Sequence, residues 1–204
     1  MSEIVQGSEE WFALRCGLAT ASRFSSIISG LGKMSTSMDG YAAELAADRF
    51  AGRALDKWEG NAATERGNEL EGQARSFYEI LNGVDVEQVA FEKHPTLDAG
   101  CSPDGLVSYD GLVEIKNQLP KGHVQTLSYY SRNKTCPPDY IPQVQGQLWI
   151  MQREWCDLFF HHPDLPNLCI RIERDEKCIE SLIRGVELCL EKRDDYLKIM
   201  EAMR

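Results

Sequence analysis

Cys101-Ser102-Pro103-Asp104-Gly105-Leu106-Val107, followed by Gly111-Leu112-Val113-Glu114-Ile115-Lys116, is the stretch on which the reading of this chain turns. In the second segment, period-two geometry places Glu114 and Lys116 on one face of a strand and Val113 and Ile115 on the other. The apolar pair enters a core, while a carboxylate and an ammonium stand together opposite. Asp110-Gly111 is a hairpin signal that folds the Asp104 end of the preceding strand back beside Glu114 and Lys116. A strict two-residue turn leaves Asp104 one position out of phase; a bulge, or a strand that begins after Asp104, removes the conflict.

Two neighbouring carboxylates repel, and a hard divalent cation relieves the repulsion. Oxygen donors of this kind suit Mg²⁺, with Mn²⁺ as a substitute, rather than zinc. The Ile115 carbonyl is a third candidate ligand. A metal so held polarises a phosphodiester and acidifies a bound water. Lys116 then orients or deprotonates that water and offsets phosphate charge. Alone, an Asp followed by Glu-x-Lys reads as well as a solvated strand face, and Pro103-Asp104-Gly105 as a turn.

Outward from this stretch, helices and short strands divide the chain. Residues 30–40 read as a loop. Before it, Thr20 and Ser22 are placed to cap a helix with Phe24, Ile27, Ile28 and Leu31 on its apolar face. After it, Asp39 is placed to cap a helix reaching about Arg49 and ending near Gly52. The spacing predicts a third helix over 62–82, with Leu70, Ala74, Phe77 and Leu81 as its buried stripe and Gly83 as its stop. Strand-like runs follow at 84–91, 99–101, 106–109 and 112–116. A helix is predicted over 142–152, strands over 156–160 and 168–172, and a last helix over 176–203 with Ile179, Leu182, Ile183, Val186 and Leu190 on one face. Helices flanking a central mixed β-sheet make an α/β (α+β) protein, with residues 1–204 as one domain.

The bulk composition suits a globular chain: 204 residues, 43% hydrophobic and 26% charged. No apolar run spans a bilayer, and the N-terminus has no basic region followed by an apolar stretch, so a cytoplasmic protein is expected. The seven cysteines are odd in number and lack Cys-x-x-Cys or zinc-like spacing with the four histidines. They are expected to be reduced and mostly buried. The formal net charge of −10 argues mildly against nucleic acid as a partner, unless the cations converge on one surface.

Four ordered blocks outweigh that vote. Arg15-Cys16-Gly17-Leu18-Ala19-Thr20-Ala21-Ser22, Gly67-Asn68-Glu69-Leu70-Glu71, Asp104 with Glu114-Ile115-Lys116, and Gln143-Val144-Gln145-Gly146-Gln147 run in that order. Together they resemble the PD-(D/E)xK nuclease branch containing phage lambda exonuclease and the YqaJ-type viral recombinases. The resemblance implies a restriction-endonuclease-like core and a Mg²⁺-dependent 5′-to-3′ exonuclease. Such an enzyme degrades one strand of linear double-stranded DNA to 5′-mononucleotides and leaves a 3′ overhang for annealing. It implies Asp104, Glu114, the Ile115 carbonyl and Glu71 as the metal site, with two ions engaged during catalysis. Lys116 acts on water, Gln143 sits at the site's edge, and Arg15, Ser22 and Ser102 form the 5′-phosphate pocket. It also implies a homotrimeric ring around DNA ends and a phage single-strand annealing protein as partner, in a bacterial cell carrying the phage or prophage.

Plainer readings stand beside these. Glu71 and Arg75 are spaced as a surface ion pair, Ser22 as a cap, and Trp11 and Trp149 as packing aromatics. Which of Gln143, Gln145 and Gln147 serves the site stays open, although Gln143 and Gln147 share a helical face. Two other functions fit the same residues: an endonuclease, resolvase or repair nuclease of the superfamily, and a DNA-end-binding scaffold without turnover.

Overall fold

A computed structural model describes residues 8–55 and 62–204, the side chains of residues 9 and 62–69 excepted. In chain order the elements are α1 (Glu9–Arg15), β1 (Ala19–Thr20), a 3-10 turn (Ala21–Ser26), α2 (Met38–Ala51), α3 (Ala62–Asn82), β2 (Val86–Glu87), β3 (Glu92–Lys93), β4 (Ala99–Cys101), β5 (Gly105–Val107), β6 (Gly111–Lys116), α4 (Pro120–Asn133), a second 3-10 turn (Pro138–Tyr140), α5 (Ile141–Met151), β7 (Trp155–Phe160), β8 (Leu168–Glu173) and α6 (Glu176–Ala202). The reading of the N-terminal residues as lacking an export signal lies outside the described residues.

A five-stranded sheet runs β2-β5-β6-β7-β8, and a separate three-stranded sheet runs β1-β4-β3. β6 pairs parallel with β7, while β5 pairs antiparallel with β6 and β8 antiparallel with β7. The expected mixed sheet flanked by helices is present, with the smaller sheet beside it.

β6 is covered on both faces. Val113 and Ile115 pack with Ala74 and Tyr78 of α3 and Phe159 of β7. Leu112 packs on the other side with Val144 and Leu148 of α5 and with Leu158 and Phe160. Burial of such side chains contributes about 1.5–3 kcal/mol each. Glu114 follows Leu112 on that second face and is only 4% exposed. The carboxylate thus sits at the margin of an apolar cluster.

The remaining core joins the first 3-10 turn to α2, α5 and α6 through Phe24, Ile27, Ile28, Leu45, Leu182 and Val186. α5 approaches closely because residue 146 is glycine; a Cβ there would lie 2.3 Å from the Phe24 ring. Gly83 ends α3 at φ +64, as its position predicted.

Several local expectations change. The helix expected from Thr20 through Leu31 is a 3-10 turn over Ala21–Ser26, and Leu31 is 81% exposed. The Thr20 and Ser22 hydroxyls face Arg15 instead of capping. Asp39 lies inside the first turn of α2 and bonds Lys192 and Tyr196 of α6. The buried side of α3 carries Ala74 and Tyr78, with Phe77 and Leu81 exposed. The run at 84–91 yields only the two residues of β2. α1 and α4 were not anticipated. Among the described residues no helix is long and apolar enough to cross a membrane. All seven cysteines are unpaired, four of them buried.

Candidate active site

The β5–β6 turn sets the geometry. Val107 pairs with Gly111 and Gly105 with Val113, so the loop is Ser108-Tyr109-Asp110, one residue longer than the Asp110-Gly111 turn. Ser108 takes the left-handed conformation, φ 53. β5 begins after Asp104, and extending its register sets Asp104 across from Glu114. The phase conflict disappears through loop length.

Asp104 meets β6 through its backbone. The Ile115 N–H donates to Asp104 Oδ2 at 2.6 Å. Within a strand residue the N–H and C=O project to the same side. The Ile115 carbonyl therefore also points beyond the start of β5, into the space that Asp104 borders.

Glu114 is held from three directions. Lys116 Nζ and Gln143 Nε2 donate to its Oε1 at 2.7 and 2.6 Å, and Gln147 Nε2 donates to Oε2 at 2.6 Å. Lys116 Nζ also donates to Gln143 Oε1 at 3.1 Å. Gln145 points elsewhere: it donates to the Glu173 carbonyl and accepts from the Asp175 N–H, bracing the start of α6. The helical face that α5 turns to β6 thus sets Gln143 and Gln147, and not Gln145, against Glu114. Gln147, two turns into α5, has its Oε1 buried with no hydrogen-bond partner among the described residues.

Glu71 reaches the same cavity from α3 and pairs with Arg75 at 2.5 Å, with a side chain 26% exposed. The ion pair and the site position are one arrangement. Among the described residues no three carboxylate, imidazole or thiol groups converge tightly enough to cage an ion, although the Glu71 charge is felt at Asp104 and the Glu114 charge at Glu71.

The opposite end of the cavity is cationic. Arg15, at the end of α1, donates to Thr20 Oγ1 at 3.3 Å and to Ser22 Oγ at 3.2 Å. Its guanidinium lies over the Trp11 ring, 3.8 Å from the centroid, and Trp11 Nε1 donates to Ser102 Oγ at 3.1 Å. Trp11, expected only to pack, is part of this wall; its i,i+4 spacing to Arg15 is the signal that α1, once recognised, supplies. Trp149 is a packing aromatic, 8% exposed. One cavity of about 380 Å³ is lined by Arg15, Ser22 and Ser102 together with Glu71, Asp104, Glu114, Lys116 and Gln143.

The turn after α1 is fixed from α6. Buried Arg193 donates to the Gly17 carbonyl at 2.8 Å and lies 3.1 Å from Asp98 Oδ2, while the Ala19 N–H donates to the Asp98 carbonyl. Gly17 has φ +69, and a Cβ there would meet Arg49 at 2.8 Å. No motif in the sequence marked Arg193 or Asp98.

The electrostatics follow from crowding. Burial, then the charges of Glu114 and Glu71, hold the Asp104 carboxyl well above the usual range. Burial also pushes Glu71 up, with Glu114 adding to it and Arg75 opposing. Burial works against the Lys116 charge, but Glu114 and Asp104 outweigh it and its pKa rises. Burial lowers Arg15 to about 10, because its polar neighbours are neutral hydroxyls.

These residues fit a hard divalent cation. Two crowded carboxylates and a carbonyl that projects into the cavity are oxygen donors, and their incomplete set leaves positions for water and a phosphate oxygen, as Mg²⁺ prefers. Among the described residues no imidazole lines the cavity, and its one thiol, Cys101, is 1% exposed and held protonated by burial and by the charges of Glu114 and Glu92.

Comparisons with known proteins place the family and the fold. Residues 10–154 match the model of the YqaJ-like viral recombinase domain. An alkaline exonuclease (LHK-Exo) from Laribacter hongkongensis superposes with a TM-score of 0.85 at 36% identity, over 96% of this chain and 97% of that one. The same exonuclease in complex with dAMP matches at 35% identity with the same TM-score and the same shares of both chains. A phage-related exonuclease from Haemophilus somnus 129PT shares the fold, with a TM-score of 0.72 at 18% identity over 92% and 96% of the two chains. No curated protein matches. The domain match spans the turn from Arg15 to Ser22, the β5–β6 hairpin and the α5 glutamines alike, and the chain belongs to the YqaJ-like viral recombinase family.

Proposed function

We propose that this chain is a divalent-metal-dependent exonuclease that enters linear double-stranded DNA at a 5′-phosphorylated end and releases 5′-mononucleotides. The observation that carries this reading is the shared cavity: a cationic, hydroxyl-lined end and a carboxylate–lysine end within about 380 Å³. That arrangement suits a terminal phosphate held at one end and the next phosphodiester presented at the other. The LHK-Exo complex with dAMP supports a mononucleotide as the product-sized ligand of this family.

Asp104, Glu114 and the Ile115 carbonyl would hold Mg²⁺ or Mn²⁺, with Glu71 an outer contributor and a second ion engaged during turnover. Bound there, the ion supplies Lewis acidity and an acidified water. Gln143 and Gln147 fix the Glu114 carboxylate so that its lone pairs keep one direction. Lys116 keeps its proton at Nζ in this environment, which suits it to orient the attacking oxygen and neutralise charge developing on the phosphate. Arg15 gives the terminal phosphate a bidentate, charge-assisted partner, and Ser22, Thr20 and Ser102 add neutral donors.

The same reading takes residues 1–204 as one nuclease domain working in the cytoplasm. It forms a homotrimer around the duplex and hands the 3′ overhang to a phage single-strand annealing protein. The test is Mg²⁺ with end-labelled linear duplex, 5′-phosphorylated or 5′-hydroxylated, beside a covalently closed circle. Release from the phosphorylated end with the circle intact is expected. A cut circle sinks the exonuclease reading in favour of an endonuclease, and no hydrolysis of any substrate by folded protein leaves the scaffold.

A further inference from the structure

The acidic total hides a segregation of charge. Residues 11–38, 115–138 and 140–153 contain no aspartate or glutamate and hold eight of the 22 lysines and arginines. All 32 acidic residues fall in the rest of the chain, beside 14 basic ones. The three acid-free segments are the ones that supply Arg15, Ser22, Lys116, Gln143 and Gln147 to the cavity.

α4 is the part of this territory that the proposed chemistry does not use. It begins four residues after Lys116, at Pro120, and buries His123 and Thr126. Thr126 donates to Gln118 Oε1, and Gln118 Nε2 donates to the Tyr140 hydroxyl at the rim of the site. Its solvent face carries Lys121, Gln125, Ser128 and Arg132, at i, i+4, i+7 and i+11, hence within one narrow stripe. Lys134 follows as the left-handed C-cap, with Nζ 5.8 Å from the Tyr130 ring centroid. Lys121, Arg132 and Lys134 are exposed. Among the described residues none of the three is in an ion pair, whereas Arg23, Arg49, Lys93, Arg171 and Lys192 each are.

We infer that the solvent face of α4 is a track for the phosphate backbone of the duplex beyond the cleaved end. The inference rests on the nuclease reading and extends it. Lys121 and Arg132 are about 16 Å apart along the helix at 1.5 Å per residue, about five nucleotides of one strand at 3.4 Å each. Gln125 and Ser128 between them are neutral donors of the kind that bind phosphate oxygens without reading bases. The track therefore binds without sequence preference, and it supplies the local positive surface that a −10 chain needs to hold a polyanion.

The test is the triple variant Lys121→Ser, Arg132→Ser, Lys134→Ser, all surface positions, against wild type. Binding of a blunt 5′-phosphorylated duplex of about 30 base pairs is titrated in Ca²⁺ across a salt series, and single-turnover release of the first nucleotide is measured in Mg²⁺ at saturating protein. The expected result is a log–log salt slope shallower by about 2 to 3, one phosphate contact per cation, with weaker binding but first-nucleotide release unchanged at saturation. An unchanged slope with unchanged affinity overturns the track, and leaves the stripe to an acidic protein partner. Failure of wild type to bind or cut the duplex at any salt is a different outcome: it removes the nuclease reading, and the track with it.

Discussion

Replacing Arg15 tests the cationic end of the cavity directly. Its guanidinium is stacked on Trp11 and, among the described residues, donates only to Thr20 and Ser22. Among the described residues it makes no ion pair, and burial brings its pKa down to about 10. Against the usual 12.5, that shift corresponds to a cost of about 3 kcal/mol in holding the charge there. On the proposed reading, a terminal phosphate dianion recovers that cost on binding, through two charged hydrogen bonds. Arg15→Ala removes them and is expected to cost about 2–3 kcal/mol of transition-state binding, or about 30- to 150-fold in kcat/KM on 5′-phosphorylated duplex. On a 5′-hydroxyl duplex the change should be far smaller, because the group Arg15 serves is missing. Arg15→Lys keeps the charge but loses the fork and should fall between. The assay is initial-rate release of the labelled terminal nucleotide from the two duplexes. An equal loss on both refutes the reasoning, since Arg15 would then support the fold or the chemistry rather than the phosphate.

Lys116→Met should retain end binding and lose about 10²- to 10⁴-fold in single-turnover cleavage; near-normal turnover removes Lys116 from the mechanism. Gln147→Leu strips Glu114 Oε2 of its 2.6 Å partner and should cost about 1–3 kcal/mol in urea denaturation together with a fall in turnover. Gln145→Leu should lower stability through the α6 cap and leave turnover alone; if the two variants behave alike, the division of labour on α5 is wrong. Burial raises the Asp98 carboxyl, but hydrogen bonds from Lys93 and Arg49 and the charges of Arg49 and Arg193 outweigh it and hold it at about 2. Its folded pKa lies below the unfolded value of about 3.9, so its stabilising contribution is complete above about pH 4 and is lost as pH falls from about 4 to about 2. Discounted for solvent, that contribution is about 1–2 kcal/mol. Asp98→Asn should flatten the urea midpoint against pH across that window, and an unaltered curve would show that the cluster adds nothing to stability.

What could be read before folding follows a simple division. α3 and α6 were legible as helices because long apolar periodicity marks both and Gly83 marks the end of α3; the Asp175 cap of α6, which accepts from both Lys177 N–H and Cys178 N–H, emerged only in the structure. α4 was hidden because the side chains it buries deepest, His123 and Thr126, are polar, so no apolar stripe announces it. α1 is seven residues long, too short for periodicity to emerge. The buried side of α3 was misjudged by one position, since Tyr78 turns its hydroxyl inward to Asp157 at 2.7 Å while Phe77 is 42% exposed.

By itself the sequence determined which residue types can do chemistry and which of them share a face: Glu114 with Lys116 by the strand period, Gln143 with Gln147 by the helical one. Only the tertiary structure decided that Asp104 stands opposite Glu114, that Gln145 faces away, and that Arg193 secures the turn behind Arg15. Strand and helix periods are local properties of the backbone, written into successive residues. Loop length, register and the docking of α6 depend on contacts between segments as far apart as Gly17 and Arg193, and the pattern of neighbouring residues does not encode those.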